Sequence, residues 1–231
     1  MVDSDWQAIL LTLQLAVTST GILLLVGTPV AMWLAYTQSR VRKAVCEALI
    51  ATPLVLPPTV LGFYLLLALS PRGPWSDIWE TIGISGLAFR FEGLVLGSVI
   101  YSLPFVVQPL QNCLEAIPRE YYEAAASLGS SPAHRFFKIT LPMARNGFLT
   151  AAVLGFAHTI GEFGVVLMIG GNIPGETRVV SIAIYDYVEA LEYSKAHYLA
   201  GGLVLTSLGL LLTIFILNKG WIPFKKKGAL E

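Results

Sequence analysis

The sequence predicts an all-α membrane protein with five transmembrane helices, six if 179–197 contains a re-entrant or additional membrane segment. Three observations carry that expectation. Hydrophobic residues are 55% of the 231-residue chain against 13% charged, and the mean hydropathy of +0.69 lies outside the range of a soluble domain. Five stretches are long enough to cross a hydrocarbon core of about 30 Å while holding almost no Asp, Glu, Lys or Arg. The basic residues gather on alternate sides of those stretches. Lysine plus arginine equals aspartate plus glutamate, 15 of each, so no charge excess points to nucleic acid. Cys46 and Cys113 are too far apart for a CxxC site or a disulfide framework.

The whole chain, 1–231, reads as one transmembrane domain with spans at about 8–36, 48–70, 93–114, 146–169 and 198–218. The first span follows Asp3 and Asp5 and stays apolar too long for a secretory signal. Its surplus length allows tilt or an interfacial lead-in. The second carries Pro53, Pro57 and Pro58, and the third Pro104 and Pro109. Each proline removes a backbone donor and crowds the preceding turn, so both spans are expected to kink or break. One proline would signify ordinary packing. Five in two helices favour a cavity or pathway, because broken backbone at membrane depth is tolerated beside protein or water. The fourth span admits a single acid, Glu162, between Gly161 and Gly164. Small residues, among them Gly21, Gly27, Gly62, Gly97, Gly155, Gly201 and Gly202, allow helices to approach closely. Between the fourth and fifth spans, 179–185 is apolar but too short to cross alone.

Eleven of the fifteen basic residues fall on one side: Arg40, Arg42 and Lys43 after the first span, Arg119, Arg135, Lys138 and Arg145 after the third, and Lys219, Lys225, Lys226 and Lys227 after the fifth. The N-terminus is therefore expected outside and the C-terminus in the cytoplasm.

The long basic-side segment, 116–142, has internal punctuation. Pro118 is suited to a helix start, Arg119 to Leu128 is rich in helix formers, and Gly129 suits a left-handed C-terminal cap. Ser131 and Pro132 form an N-cap followed by a first-turn proline, predicting a second short helix to about Ile139 that Leu141 and Pro142 terminate. That helix carries His134, Arg135 and Lys138 with Phe136 and Phe137. On physical grounds it is either an interfacial hairpin dipping its phenylalanines into lipid or a docking element for a partner's groove.

Glu123, Ala124 and Ala125, then Gly129 after three residues, then Ile139, Leu141 and Pro142 after nine more, match the fixed positions of the EAA loop of binding-protein-dependent ABC importer permeases. The segment so resembles that family's ATPase-docking loop, and the resemblance implies the MetI-like permease bundle. Leu54 to Gly62, the Gly161-Glu162-Phe163-Gly164 element and the run from Gly171 to Arg178 resemble molybdate permeases over nearly the whole chain. Sulfate and thiosulfate permeases share the Gly-Glu-Phe-Gly element, and tungstate permeases are close.

The resemblance implies a subunit of the cell (inner) membrane that pairs with a second copy of itself. Cytoplasmic ABC ATPase subunits would bind ATP and magnesium, and a periplasmic or lipid-anchored molybdate-binding protein would deliver the oxyanion; tungstate, sulfate or thiosulfate are alternative cargoes. The coupling loop then comprises Glu123, Ala124, Ala125, Gly129, Ser131, Pro132, His134, Arg135, Phe136, Phe137, Ile139, Leu141 and Pro142. Pro57, Pro58, Thr59, Gly161, Glu162 and Gly164 are pathway or gate candidates. A carboxylate repels an anion, so Glu162 is expected to hydrogen-bond a neighbouring helix or the second subunit and shape the gate, or to sit near enough to the outer surface to stay hydrated. Asn172 and Arg178 lie in the external loop, where Arg178 attracts an anion, contacts the binding protein or is simply solvated.

The chain is expected to be non-catalytic, with no cofactor or metal of its own. It contains no G-x-x-x-x-G-K-[ST] phosphate loop, no H-E-x-x-H and no G-x-S-x-G, and His134, His158 and His197 are scattered. A proton-coupled secondary transporter would use intramembrane ionisable relays, for which Glu162 and His158 are thin support. A membrane hydrolase would need a constellation that is not there to assemble.

Overall fold

The computed structural model describes residues 2–81 and 83–219, and among them there are helices and turns but no strand. Lys225, Lys226 and Lys227, which bear on the expected orientation, lie outside the described residues. Three helices are long and apolar enough to cross a membrane alone: α1 (Val2–Tyr36), α5 (Phe91–Glu115) and α12 (Tyr193–Lys219). Two bent pairs each pass the same test together: α2 (Arg40–Val55) with α3 (Pro58–Leu69), turning 108°, and α9 (Arg145–Ile160) with α10 (Gly164–Gly170), turning 60°.

The break in the second span follows from local chemistry. Leu56 and Pro57 each precede a proline, and that position is pushed out of the helical region. Both are extended, with ψ of 136° and 134°. Pro58 then opens α3, where its missing donor costs nothing. Of the kink or break expected in the third span, the break does not occur. Pro104 and Pro109 lie inside α5, which runs unbroken from Phe91 to Glu115. Flanked by α1, α2, α9 and α10, α5 keeps its helix through both prolines because it is packed along its length, and nearly half of its residues are buried. The fourth span breaks at 161–163 without a proline.

Around α5 the core divides into two levels. At one, Leu23 and Leu34 of α1 meet Val106, Leu110 and Leu114 of α5 and Ala151 of α9. At the other, Leu15 meets Leu94, Val166 and Ile182. Helix α11 (Val180–Glu189) packs on α1 and α12. Its ten residues span only about 15 Å, so the fragment read at 179–185 is not a sixth crossing. Exposed Val204, Leu205, Leu208, Leu212 and Phe215 give α12 an apolar outer face suited to lipid.

Loop 70–90, which includes α4 (Ser76–Thr81), straps the ends of α3 and α10. The Leu87 and Ala88 amides donate to the Leu69 carbonyl, the Phe89 amide to Ile169, and Trp79 Nε1 to Ala68. Carbonyls left orphaned at the helix ends are thereby satisfied. At the opposite end Lys43 Nζ meets Glu115 at 2.6 Å, and Gln111 donates to both Glu47 and Glu115, tying α2 to α5.

Candidate gate and coupling segment

The two breaks, a hundred residues apart in sequence, meet. Helices α3 and α10 pack together, and an added Cβ on Gly164 would lie 2.8 Å from Pro58 Cβ. The absent side chain lets one broken helix start against the other. Pro57, Thr59 and Gly161 are exposed around this junction. Of the other glycines, Gly21, Gly201 and Gly202 face open space, so they serve no helix contact within the subunit.

Glu162 does not share that exposed face. It is only 4% exposed, and neither carboxyl oxygen has a hydrogen-bond partner. Ser98, beside it on α5, is also buried. At 4% exposure the expectation of a hydrated carboxylate is corrected, and the carboxyl instead faces a neighbouring helix, α5, beside Ser98. Gly161 caps α9 and the chain turns at the break, while Ser181 Oγ donates to the Glu162 carbonyl at 2.6 Å, leaving the side chain inside the subunit. A second polar cluster lies nearby in sequence: His158 Nδ1 is 2.8 Å from Ser102 Oγ, and its ring stacks on Phe105 at 3.9 Å. The sequence showed His158 only as an isolated histidine.

The loop after α10 is also not free. Asn172 Nδ2 donates to Asp186 Oδ2 at 2.6 Å, and Arg178 Nη2 lies 3.2 Å from the same oxygen. Arg178 also stands over the Tyr187 ring at 5.9 Å. Thr177 Oγ1 closes the loop, donating to the Gly170 carbonyl and accepting from the Ile173 amide. Tyr187 in turn donates to Asp5 Oδ1 at 2.5 Å, and this bond holds its phenol above the ordinary value because ionisation would set two anions together. Arg178 thus clamps the loop to α11 through Nη2, while its Nε is buried without a hydrogen-bond partner. Asp186→Ala should leave a half-buried guanidinium unpaired and cost about 1–3 kcal/mol, roughly 2–10 °C in melting temperature for a chain of this size. An unchanged melting curve of the purified subunit would show that the Thr177 bonds hold the loop alone.

The coupling segment folds as two arms. Helix α6 (Arg119–Ser127) ends in a Schellman turn: the Ser130 amide bonds Ala125 O and the Gly129 amide bonds Ala126 O, with Gly129 at φ +75°. Ser131 Oγ then accepts from the His134 amide at 3.2 Å to cap α7 (Pro132–Arg135). Beyond it the expected stop does not occur. Phe136–Thr140 forms a π-helical turn, in which the Leu141 amide bonds Phe136 O, and α8 (Leu141–Met143) continues through Pro142 to Ala144. Proline lacks the amide for the carbonyl four residues back and its ring pushes that carbonyl away, and a wider turn accommodates both effects.

Only part of the expected docking face is outward. Phe137 is 62% exposed, but Phe136 turns inward, edge-on to Phe148 at 6.4 Å. Leu128, at 88% the most exposed large apolar residue among the described residues, and Tyr121 join Phe137 on the surface. Glu123 lines a cavity of about 360 Å³ with Arg119, Arg135, Tyr122 and Phe136, closed above by Met32 and Tyr36 of α1. There Tyr36 donates to Tyr122 Oη at 2.6 Å, which lies 3.0 Å from Thr140 Oγ1. None of Leu128, Tyr36, Tyr122 or Thr140 was singled out from sequence. Tyr122 precedes the Glu-Ala-Ala run and Thr140 occupies the unspecified place between Ile139 and Leu141, so adjacency to fixed positions was their one signal.

Comparison with known proteins agrees with this architecture. The family of binding-protein-dependent transport system inner membrane components matches residues 27–218. The molybdenum transport system permease protein ModB of Azotobacter vinelandii is 56% identical over 92% of this chain and 94% of its own length. A probable sulfate transport system permease protein of Anthoceros angustus is 33% identical over 79% of this chain and 63% of its own. A chain of the methionine ABC transporter MetNI in an inward-facing conformation shares the fold at a TM-score of 0.67 and 17% identity, with 95% of each chain covered. With two broken spans meeting at Pro58 and Gly164 and a glycine-hinged loop between α5 and α9, the chain belongs to the family of binding-protein-dependent transport system inner membrane components.

Proposed function

We propose that this chain is the permease subunit of an ATP-driven molybdate importer. The observation that carries the reading is 56% identity to a molybdenum permease along almost the full length of both chains. Two copies form the oxyanion pathway, each docking one cytoplasmic ATPase subunit that binds ATP and magnesium, and a separate binding protein presents the anion at the outer face. The chain itself performs no hydrolysis. The clustering of basic residues beside α2 and in the coupling segment supports an external N-terminus and a cytoplasmic coupling segment.

Each part of the site then has a task. Exposed Leu128, Tyr121 and Phe137 enter the ATPase groove, and closure of the ATPases on ATP displaces the segment. The bundles reorient, and the junction of Pro57, Pro58 and Thr59 with Gly161 and Gly164 opens or closes between the two copies. Neutral residues at that junction suit passage, since a route that binds a doubly charged anion tightly releases it slowly. Selectivity accordingly resides mainly in the binding protein.

Membrane vesicles containing the chain, its ATPase and its binding protein should take up molybdate on addition of ATP, with excess tungstate competing and excess sulfate not. Competition by sulfate equal to that by tungstate would overturn the molybdate assignment in favour of a sulfate permease.

A further inference from the structure

Displacement of the coupling segment has to reach the spans. The covalent links to α5 and α9 run through short turns at Ala116–Pro118 and Ala144. A non-covalent link also crosses the gap. Tyr36, in the last turn of α1, donates to Tyr122 on α6, and Tyr122 Oη adjoins Thr140 Oγ1 at the end of the π turn. With Tyr36 donating to Tyr122, the Tyr122 oxygen also bonds Thr140 Oγ1, either hydroxyl being able to donate, and the three groups form one mutually polarising chain. The tyrosine rings meet edge-on at 5.4 Å and 70°, which fixes their approach. Thr140 is 1% exposed, so its hydroxyl has little access to solvent.

Tyr122 thereby ties together α1, its own helix α6 and the far arm of the segment at a single oxygen. The surroundings are open, because the 360 Å³ cavity lies between the segment and α1. Tyr122 also packs on the core cluster that holds Leu34 and Leu114, but along the cavity the segment and α1 are not in close contact, so packing there is partial and the hydroxyl chain supplies the directed link. Above this point α1 is packed against α5 and α9, and four residues beyond Tyr36 the chain enters α2, which leads to the Pro57 break.

We propose that Tyr36, Tyr122 and Thr140 are positioning residues of the transport cycle: their hydroxyl chain locks both arms of the coupling segment to α1, so that displacement of the segment moves the N-terminal span instead of being absorbed by the cavity. The inference rests on the proposed function only in requiring that an ATPase drives the segment.

The test is the number of oxyanions delivered per ATP hydrolysed by the importer reconstituted in liposomes with its ATPase and binding protein. Tyr36→Phe and Tyr122→Phe keep the rings and remove the hydroxyls. Each should lower the ratio about fivefold, the weight of one polar contact of this kind, without changing the concentration for half-maximal uptake. Thr140→Ser should keep the wild-type ratio, whereas the isosteric Thr140→Val should lose as much as Tyr122→Phe. A wild-type ratio in both Tyr122→Phe and Thr140→Val overturns the proposal, and so does an equal loss in Thr140→Ser, which would make the residue a matter of packing. The ratio is taken against the wild type on whichever oxyanion it carries, so a preference for sulfate would overturn the molybdate reading and leave the lock supported or refuted on its own result.

Discussion

Gly129→Val should abolish oxyanion uptake while the subunit still inserts and pairs with its second copy. The glycine sits at φ +75°, and an added Cβ would meet nothing within 4 Å, so the defect is one of backbone conformation and not of collision. A β-branched residue is disfavoured there by roughly 1–2 kcal/mol or more. Relief requires giving up the bonds from Ser130 to Ala125 and from Gly129 to Ala126 that set the angle between α6 and α7. Leu128 and Phe137 lie on opposite sides of this turn, and only its geometry presents them together. Uptake in vesicles and recovery of the ATPase with the purified subunit are the measurements. Both should be lost, and normal values of both would return the segment to a hairpin resting on lipid.

A second large effect is expected where the breaks meet. In Gly164→Val the new Cβ would lie 2.8 Å from Pro58 Cβ and 3.7 Å from the Pro58 carbonyl carbon. A proline ring has no rotamer by which to withdraw, so α3 and α10 must separate. Overpacking of this kind costs about 1–3 kcal/mol, roughly 2–10 °C in melting temperature, and it misplaces Pro57, Thr59 and Gly161 together. Transport should fall to background, and Gly164→Ala should fall between the two. Gly201→Val, whose Cβ meets open space, serves as the control and should stay within about 0.5 kcal/mol of wild type. Equal stability of Gly164→Val and Gly201→Val would remove the junction as a packed element.

Features decided by covalent chemistry over a few residues were legible in the sequence. The break at Leu56 and Pro57 follows from two successive residues each preceding a proline, and the turn at Gly129 with its Ser131 cap follows from the same short-range rules. Span length and apolarity depend on the bilayer and are likewise read along the chain. The EAA spacing marked out segment 116–142 as the docking candidate, because its fixed positions lie within twenty residues of one another.

Where the same local rules met packing, packing prevailed. Pro104 and Pro109 obey the chemistry that breaks the second span, yet α5 stays helical because neighbouring helices pack around it, whereas the fourth span breaks at Gly161 without a proline. Arg178 read as a loop cation and pairs with Asp186 at 3.2 Å because α11 folds against the loop, and Glu162, which could have been hydrated, is buried by the turn after Gly161. Tyr36 and Tyr122 are 86 residues apart, and their hydroxyl contact exists because α1 and the coupling segment finish at the same end of the bundle. The sequence by itself determined that this protein crosses a membrane, where its chain turns and which segment can meet a partner. The tertiary structure alone decided which polar groups face one another, because such pairing depends on separations of a few ångströms between helices, and no periodicity or spacing along one helix encodes them.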